Sequence, residues 1–156
     1  MSISSNPADS KLNPAPLKKT VMILRIIWAA LLIGECTFMA VVAMMILPHQ
    51  RKPDHPQQVF VWVSFGMLMT IIPVAFIIRR TMFRGSSTGG EIRPAGYFAG
   101  NVIFWAACDG VAFFGLVAAI SMGSLWPTIV NAGIAMALQV LTFPREDQVG
   151  VSTSVA

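Results

Sequence analysis

The sequence predicts an all-α integral membrane protein with four transmembrane helices. Of its 156 residues, 55% are hydrophobic and only 12% are charged, about half the charged share of a typical soluble domain. The charged residues avoid four apolar runs, each near or above the roughly 20 residues that cross a bilayer as a helix. These runs lack alternation and are far longer than the ~9–11 residues of a barrel strand. Backbone amides in lipid need internal partners, which also favours helices.

We expect the four helices at residues 20–47, 57–78, 97–120 and 125–143. The first apolar run exceeds the roughly 7–15 residues of a signal-peptide core and contains Glu35, so it is predicted to remain as an anchor. The polar, proline-rich leader at 1–19 is predicted to be disordered, and residues 144–156 form a short tail. Short connections predict two antiparallel hairpins within one bundle.

The basic residues predict the orientation of the chain. Nine of the 11 Lys and Arg residues flank the first helix, lie in the middle loop or follow the last helix, whereas Arg51 and Lys52 lie in the first outer loop. The positive-inside rule therefore predicts cytoplasmic termini in a bacterial inner membrane. The net charge of +4 is what this topology requires, so no nucleic-acid partner is predicted. Membrane lipids are the expected partners, and a homo-oligomer or a larger membrane complex remains open.

Two acidic residues, Glu35 and Asp109, interrupt the first and third apolar runs. A charged carboxylate at the bilayer centre costs roughly 3 kcal/mol on insertion scales. From helix starts at Thr20 and Tyr97, a rise of 1.5 Å per residue puts both acids roughly 18–22 Å deep, so they could share one polar site. Three interpretations are open: hydrogen bonds to a neighbouring helix, handling of a proton or cation, and contact with another subunit.

Amide side chains are the other polar groups predicted inside the bundle: Asn101, Asn131 and Gln139. Asn101 and Gln139 are expected at similar depth near the cytoplasmic side of the third and fourth helices. We therefore expect an interhelical hydrogen bond between them, worth about 0.6 kcal/mol in a membrane.

Small residues predict where the helices pack closely. Gly110 and Gly115 on the third helix and Gly133 on the fourth are expected at helix contacts, because packing replaces the hydrophobic drive in lipid. Gly110→Leu or Gly133→Leu is then expected to reduce the folded yield. A weak similarity between residues 34–43 and 110–119 fits either a parallel internal repeat or chance resemblance of apolar helices.

No metal, cofactor or enzymatic activity is predicted. Cys36 and Cys108 each adjoin one of the acids, but neighbouring helical residues point about 100° apart and rarely face one ion. The chain carries no paired-histidine metal motif, phosphate-binding glycine loop or nucleophile elbow.

One segment, DGVAFFGLV at residues 109–117, resembles the carboxylate helix of the c subunit of rotary ATP synthases. In that family the acid is followed by small and aromatic residues at the positions held here by Ala112, Phe114, Gly115, Leu116 and Val117. The resemblance implies that Asp109 is a proton-carrying carboxylate. The chain as a whole also resembles small uncharacterised four-helix bacterial membrane proteins whose last helix ends in a motif such as Phe143-Pro144-Arg145, a resemblance that implies no activity.

The sequence thus supports two functional hypotheses. The first is a non-enzymatic structural or accessory subunit with its intramembrane acids at helix contacts. The alternative is a small proton or cation translocator that uses Asp109 and Glu35. The two hypotheses differ in whether the acids face each other or a cavity, or instead face lipid or a partner.

The predicted topology is tested by labelling single cysteines introduced at Ser5, Gln50 and Ser87 with a membrane-impermeant reagent. In intact cells only the Gln50 position should react, because it alone lies in the outer loop. Reaction at Ser87 from the outside would overturn the assignment.

Overall fold

In the computed structural model, residues 14–49, 58–88, 91–126 and 128–145 are described. Four helices make up almost all of these ranges: α1 Pro14–Ile46, α2 Gln58–Gly85, α3 Pro94–Met122 and α4 Thr128–Leu141. A short 3-10 turn, Leu47–His49, extends α1, and the two-residue strands β1 Ser87–Thr88 and β2 Glu91–Ile92 pair antiparallel between α2 and α3. The predicted all-helical architecture is confirmed, apart from this small strand pair.

The helix boundaries differ from the predicted ones for local reasons. α1 begins at Pro14, so residues 14–19 are helical instead of disordered, because prolines are tolerated in a first turn whose N–H groups have no helical partner. α3 also begins at a proline, Pro94, and ends at Met122, where the next residue, Gly123, forms a left-handed cap with a φ of 60°. α4 stops at Leu141, since the residue before Pro144 disfavours helical geometry. The remaining leader, most of the outer loop and the tail beyond Arg145 lie outside the described residues.

Three of the helices are long and apolar enough to cross a membrane. They are α1 with its 3-10 extension, α2 and α3, whereas α4 has 14 residues and rises only about 21 Å. The hydrocarbon core is about 30 Å thick. The helical part of α4 is therefore shorter than a full crossing.

α3 is the central helix of the bundle. Half of the residues in its most apolar 18-residue stretch are buried, against 17% in the corresponding stretch of α1 and 22% in that of α2. It packs against all three other helices, and α1 packs chiefly against α3. The expected α1–α2 pairing is therefore replaced by an α1–α3 contact, because short connections decide which helices follow each other but not which apolar faces meet. The core centres on large α3 side chains that are fully buried, among them Tyr97, Phe104 and Trp105.

Two glycines of α3, one turn apart, lie close to the end of α2 and to the residue that follows it. A Cβ at Gly100 would lie 2.8 Å from Phe83 Cε1, and one at Gly96 would overlap the Ser86 side chain. The two glycines form a Gly-x-x-x-Gly motif, which lets helix backbones approach in lipid. Gly115 marks a second close approach, because its Cβ would lie 3.2 Å from the Thr128 carbonyl oxygen of α4.

The packing prediction for Gly110 and Gly133 is wrong. Both lie exposed on the surface of the bundle, and an added Cβ would meet nothing within 4 Å. Small residues occur on lipid-facing as well as packed helix faces, so their presence alone does not identify a contact. The motif at residues 96–100 carried the clearer signal, since two glycines four residues apart lie on one helix face.

Leucine substitution at these glycines separates packed from open positions. We expect Gly100→Leu and Gly115→Leu to reduce the yield of monodisperse protein in detergent sharply, because each side chain would overlap a neighbouring helix. Gly110→Leu and Gly133→Leu, the matched controls, should purify like the wild type. Equal losses at all four positions would contradict this assignment of the contacts.

Candidate intramembrane carboxylate site

A stripe of α1 residues faces α3 with the spacing of a helix seam. Leu24, Trp28, Leu31, Glu35, Phe38 and Val42 follow one another at alternating intervals of four and three residues, and every one of them is buried or half-buried. This spacing puts side chains on one helix face. Glu35 therefore occupies a seam position that would otherwise hold an apolar side chain.

Glu35 is the most isolated polar side chain of this seam. Only 1% of its surface is exposed, and neither carboxylate oxygen has a hydrogen-bond partner. An unpaired buried carboxylate is costly, since its charge has lost water without gaining a donor or a cation. A buried carboxyl group of this kind is stabilised by taking up a proton or a cation.

Asp109 faces Glu35 across a cavity between α1 and α3. Both acids line this α1–α3 cavity, whose volume is about 530 Å³, and they are close enough for their charges to interact. Asp109 is half-buried, whereas Gly34 and Val41 at the cavity's edge are exposed. Because these exposed residues lie in the middle of a spanning helix, the cavity opens towards the side of the bundle. The two acids singled out in the sequence therefore line one cavity.

An aromatic pair borders the two acids. Phe38 of α1 and Phe113 of α3 stack with ring centroids 4.3 Å apart and an interplanar angle of 7°. Both rings line the α1–α3 cavity. Sequence reasoning missed this pair, although the signal was present. Phe38 lies three residues after Glu35 and Phe113 lies four after Asp109, so each ring shares a helix face with its acid.

The cysteines next to the acids do not join them. Cys36 is exposed and Cys108 is buried, and both are free thiols. Neither lines the α1–α3 cavity, as the 100° turn between neighbouring helical residues leads one to expect. Within the described ranges, no three His, Cys, Asp or Glu side chains come together as a metal-binding group.

The amide side chains bond elsewhere in the bundle. Asn131 Nδ2 donates to Ser64 Oγ at 2.7 Å and joins α4 to α2. The expected bond between Asn101 and Gln139 does not form, because Asn101 donates to the Tyr97 carbonyl of its own helix at 2.8 Å. Gln139 does face α3, but it donates to the Trp105 carbonyl, one turn further along that helix. Asn131 and Gln139 therefore join helices, Asn101 bonds within its own helix, and none of the three lines the α1–α3 cavity with the acids.

Gln139 instead connects three helices. Its side-chain Nε2 donates to the Trp105 carbonyl of α3 at 3.3 Å. Its backbone carbonyl accepts from Trp28 Nε1 of α1 at 2.9 Å. That carbonyl lies in the last turn of α4, where it also accepts from the backbone N–H and the hydroxyl of Thr142 at 3.3 and 3.1 Å. Trp28 thereby fixes α1 on the bundle two turns before Glu35.

The segment Thr142–Arg145 fastens the same end of the bundle. Thr142 Oγ1 accepts from Trp105 Nε1 at 3.1 Å, and the Arg145 carbonyl accepts from the Tyr97 hydroxyl at 3.2 Å. The Phe143 ring meets Trp28 edge-on at 5.0 Å. The residues after α4 thus contact both α1 and α3 and hold these two helices together at that end of the bundle.

In comparisons with known proteins, no family model, no curated protein and no solved structure matches the chain. What the site can bind is therefore derived from its own residues. Two carboxylates, an aromatic pair and an apolar wall provide negative charge, and the Thr37 hydroxyl in the lining already donates to the Ile33 carbonyl of its own helix. Such an arrangement attracts a proton or a cation and repels anions.

Trp28 offers a test of how α1 is held. Trp28→Phe keeps an aromatic ring but removes the donor to Gln139, so we expect a loss of about 0.6–1 kcal/mol in the stability of the detergent-solubilised protein. Trp62→Phe is the matched control, since Trp62 is 75% exposed on α2. The measurement is the midpoint of thermal unfolding, monitored by far-ultraviolet circular dichroism, which reports on the helices. Equal midpoints for Trp28→Phe and Trp62→Phe would contradict a stabilising role of the Trp28 bond.

Proposed function

We propose that the protein is a non-enzymatic integral membrane protein in which Glu35 and Asp109 reversibly bind a proton or another cation within the bilayer. The observation that carries this proposal is the fully buried Glu35 carboxylate, whose oxygens have no partner, in one cavity with Asp109. Two negative charges in a low-dielectric cavity repel each other strongly. Uptake of one positive charge relieves that repulsion, and its release restores it.

The geometry favours this proposal over a purely structural role for the acids. A structural carboxyl group in lipid would be expected to donate or accept a hydrogen bond on a neighbouring helix. Glu35 makes no such bond, whereas Trp28 and Gln139 make them nearby. Helix contacts in this bundle are thus supplied by aromatic and amide side chains, which leaves the acids available for exchange with a proton or cation.

Access to the acids supports reversible binding. Asp109 is half-buried, and Gly34 and Thr37 beside Glu35 are exposed. A carboxylate that exchanges its cation must be reachable from outside the core, and the half-buried Asp109 is the member of the pair that the open side of the α1–α3 cavity exposes. The resemblance of residues 109–117 to the proton-carrying helix of rotary ATP synthase c subunits independently favours Asp109 as a proton carrier.

We further propose that the chain lies in a bacterial inner membrane with both termini in the cytoplasm. The distribution of the basic residues supports this orientation. A cytoplasmic C-terminus requires α4 to complete a fourth crossing together with the residues on either side of its 14-residue helix. Thr142–Arg145 would then hold the cytoplasmic end of α1 to α3 and α4.

The proposal is tested with the purified protein in liposomes. Carbodiimide should label Glu35 or Asp109 of the wild type, because the reagent reacts with protonated carboxyl groups, and a proton gradient should dissipate faster than in empty liposomes. Asp109→Asn has nearly the same volume but cannot ionise, so it should abolish the excess flux, while Asp109→Glu retains part of it. Glu35→Gln should also abolish it, since both acids form one site.

Glu91→Gln is the matched control, because Glu91 lies on β2 outside the spanning helices. It should retain wild-type flux and labelling. A wild type with neither labelling nor excess flux would exclude proton exchange by the two acids. Normal flux in Asp109→Asn and Glu35→Gln would exclude these acids as its carriers.

A further inference from the structure

The α1–α3 cavity has too few oxygen ligands for a metal ion. Among the described residues that line it, the oxygen-bearing side chains are Glu35, Asp109 and Thr37. The Thr37 hydroxyl donates to the Ile33 carbonyl of its own helix at 2.7 Å. Calcium takes 6–8 oxygen ligands, and potassium sites replace the hydration shell with rings of carbonyl groups. Two carboxylates in an apolar wall do not replace the water that such an ion loses.

The rest of the lining suits a cation that carries apolar groups. Leu31, Val41 and Ala30 contribute alkyl surface, and Phe38 and Phe113 contribute the stacked rings. Weakly hydrated organic cations bind against aromatic rings through the negative charge of the ring faces. The cavity's volume of about 530 Å³ lies within the roughly 300–1,000 Å³ typical of small-molecule sites.

The route into the cavity also favours an apolar ligand. Ile33 and Met44 on α1 and Val117 on α3 are exposed large apolar side chains in the spanning helices. A ligand approaching the open side of the cavity therefore comes through lipid or along an apolar helix surface. An organic cation with alkyl or aryl substituents dissolves in that environment, whereas a hydrated inorganic ion does not.

From this combination we infer that the α1–α3 cavity binds lipophilic organic cations of the quaternary ammonium or phosphonium class, in exchange for the proton held by Glu35 and Asp109. This inference rests on the proposed function, since it names a ligand for the same two acids. The step is an ion exchange without covalent chemistry. One cation enters, one proton leaves the carboxyl pair to water, and the net charge of the site is unchanged.

The experiment measures equilibrium binding of tetraphenylphosphonium to the full-length protein in detergent, together with proton release into weakly buffered solution. The wild type should bind saturably and release up to one proton per cation bound. Glu35→Gln and Asp109→Asn should each weaken binding by more than about tenfold, because each removes a negative charge in a low-dielectric site. Glu91→Gln should bind like the wild type.

A second pair of variants tests the aromatic contribution. Phe113→Leu should weaken phosphonium binding by about three- to tenfold, in the range of a cation–aromatic contact. Phe60→Leu is its matched control, because Phe60 on α2 is 43% exposed, similar to 44% for Phe113, and lies outside the cavity. Equal affinities for these two variants would overturn the part assigned to the aromatic pair.

Carbodiimide protection in the wild type provides a measurement that needs no variant to fold. Saturating phosphonium should slow carbodiimide labelling of both acids. If a second copy of the chain occupied the cavity instead, the labelling rate would depend on protein concentration, and that result would overturn the inference. Labelling and proton flux without saturable phosphonium binding would overturn the inference and leave the proposed proton site standing. Absence of labelling, flux and binding would overturn both.

Discussion

The close approach of α2 to α3 is the constraint on which the rest of the bundle depends. In lipid, apolar surface gains little by leaving one apolar environment for another, so helices associate where their backbones can come near. Gly96 and Gly100 allow this on the α2 side of α3, and Gly115 allows it towards α4. With two sides of α3 closely packed, α1 occupies a further side, where no glycine of α3 permits the same approach. The looser α1–α3 contact leaves room for a cavity.

The cavity is therefore a consequence of how α1 is attached. Trp28 and the residues after α4 hold α1 to the bundle at one end, two turns before Glu35. Beyond this point the seam of α1 continues with Glu35 and Phe38, and the cavity separates these from Asp109. A carboxylate at such a position weakens the apolar packing and lowers the stability of the α1–α3 contact. Intramembrane acids that carry this loss of stability usually have a functional role. Arg79 does not neutralise the pair, since its guanidinium lies over Phe83 and Phe104 at 5.2 and 5.4 Å.

The helices were predictable from the sequence, whereas their contacts were only partly so. Long apolar runs identify membrane helices because the bilayer sets their length, and the helical rise alone predicted that Glu35 and Asp109 reach similar depth. The direction in which a side chain points was harder to infer, because lipid-facing and core-facing positions are both apolar. For this reason Gly110 was assigned to a contact that it does not make, and Asn101 to a hydrogen bond with Gln139 that does not form. The pairing of α1 with α3 left no pattern in the connections between the helices.

The central claim is that Glu35 and Asp109 form one site and exchange a proton as a coupled pair. It is tested most directly by infrared spectroscopy of the protonated carboxyl bands across a pH titration. The band of Glu35 is the one that disappears in Glu35→Gln. If the acids are coupled, Asp109→Asn must change the pH at which Glu35 gains its proton, because interacting groups titrate as a pair. A Glu35 titration that is identical in the wild type and in folded Asp109→Asn would contradict the account.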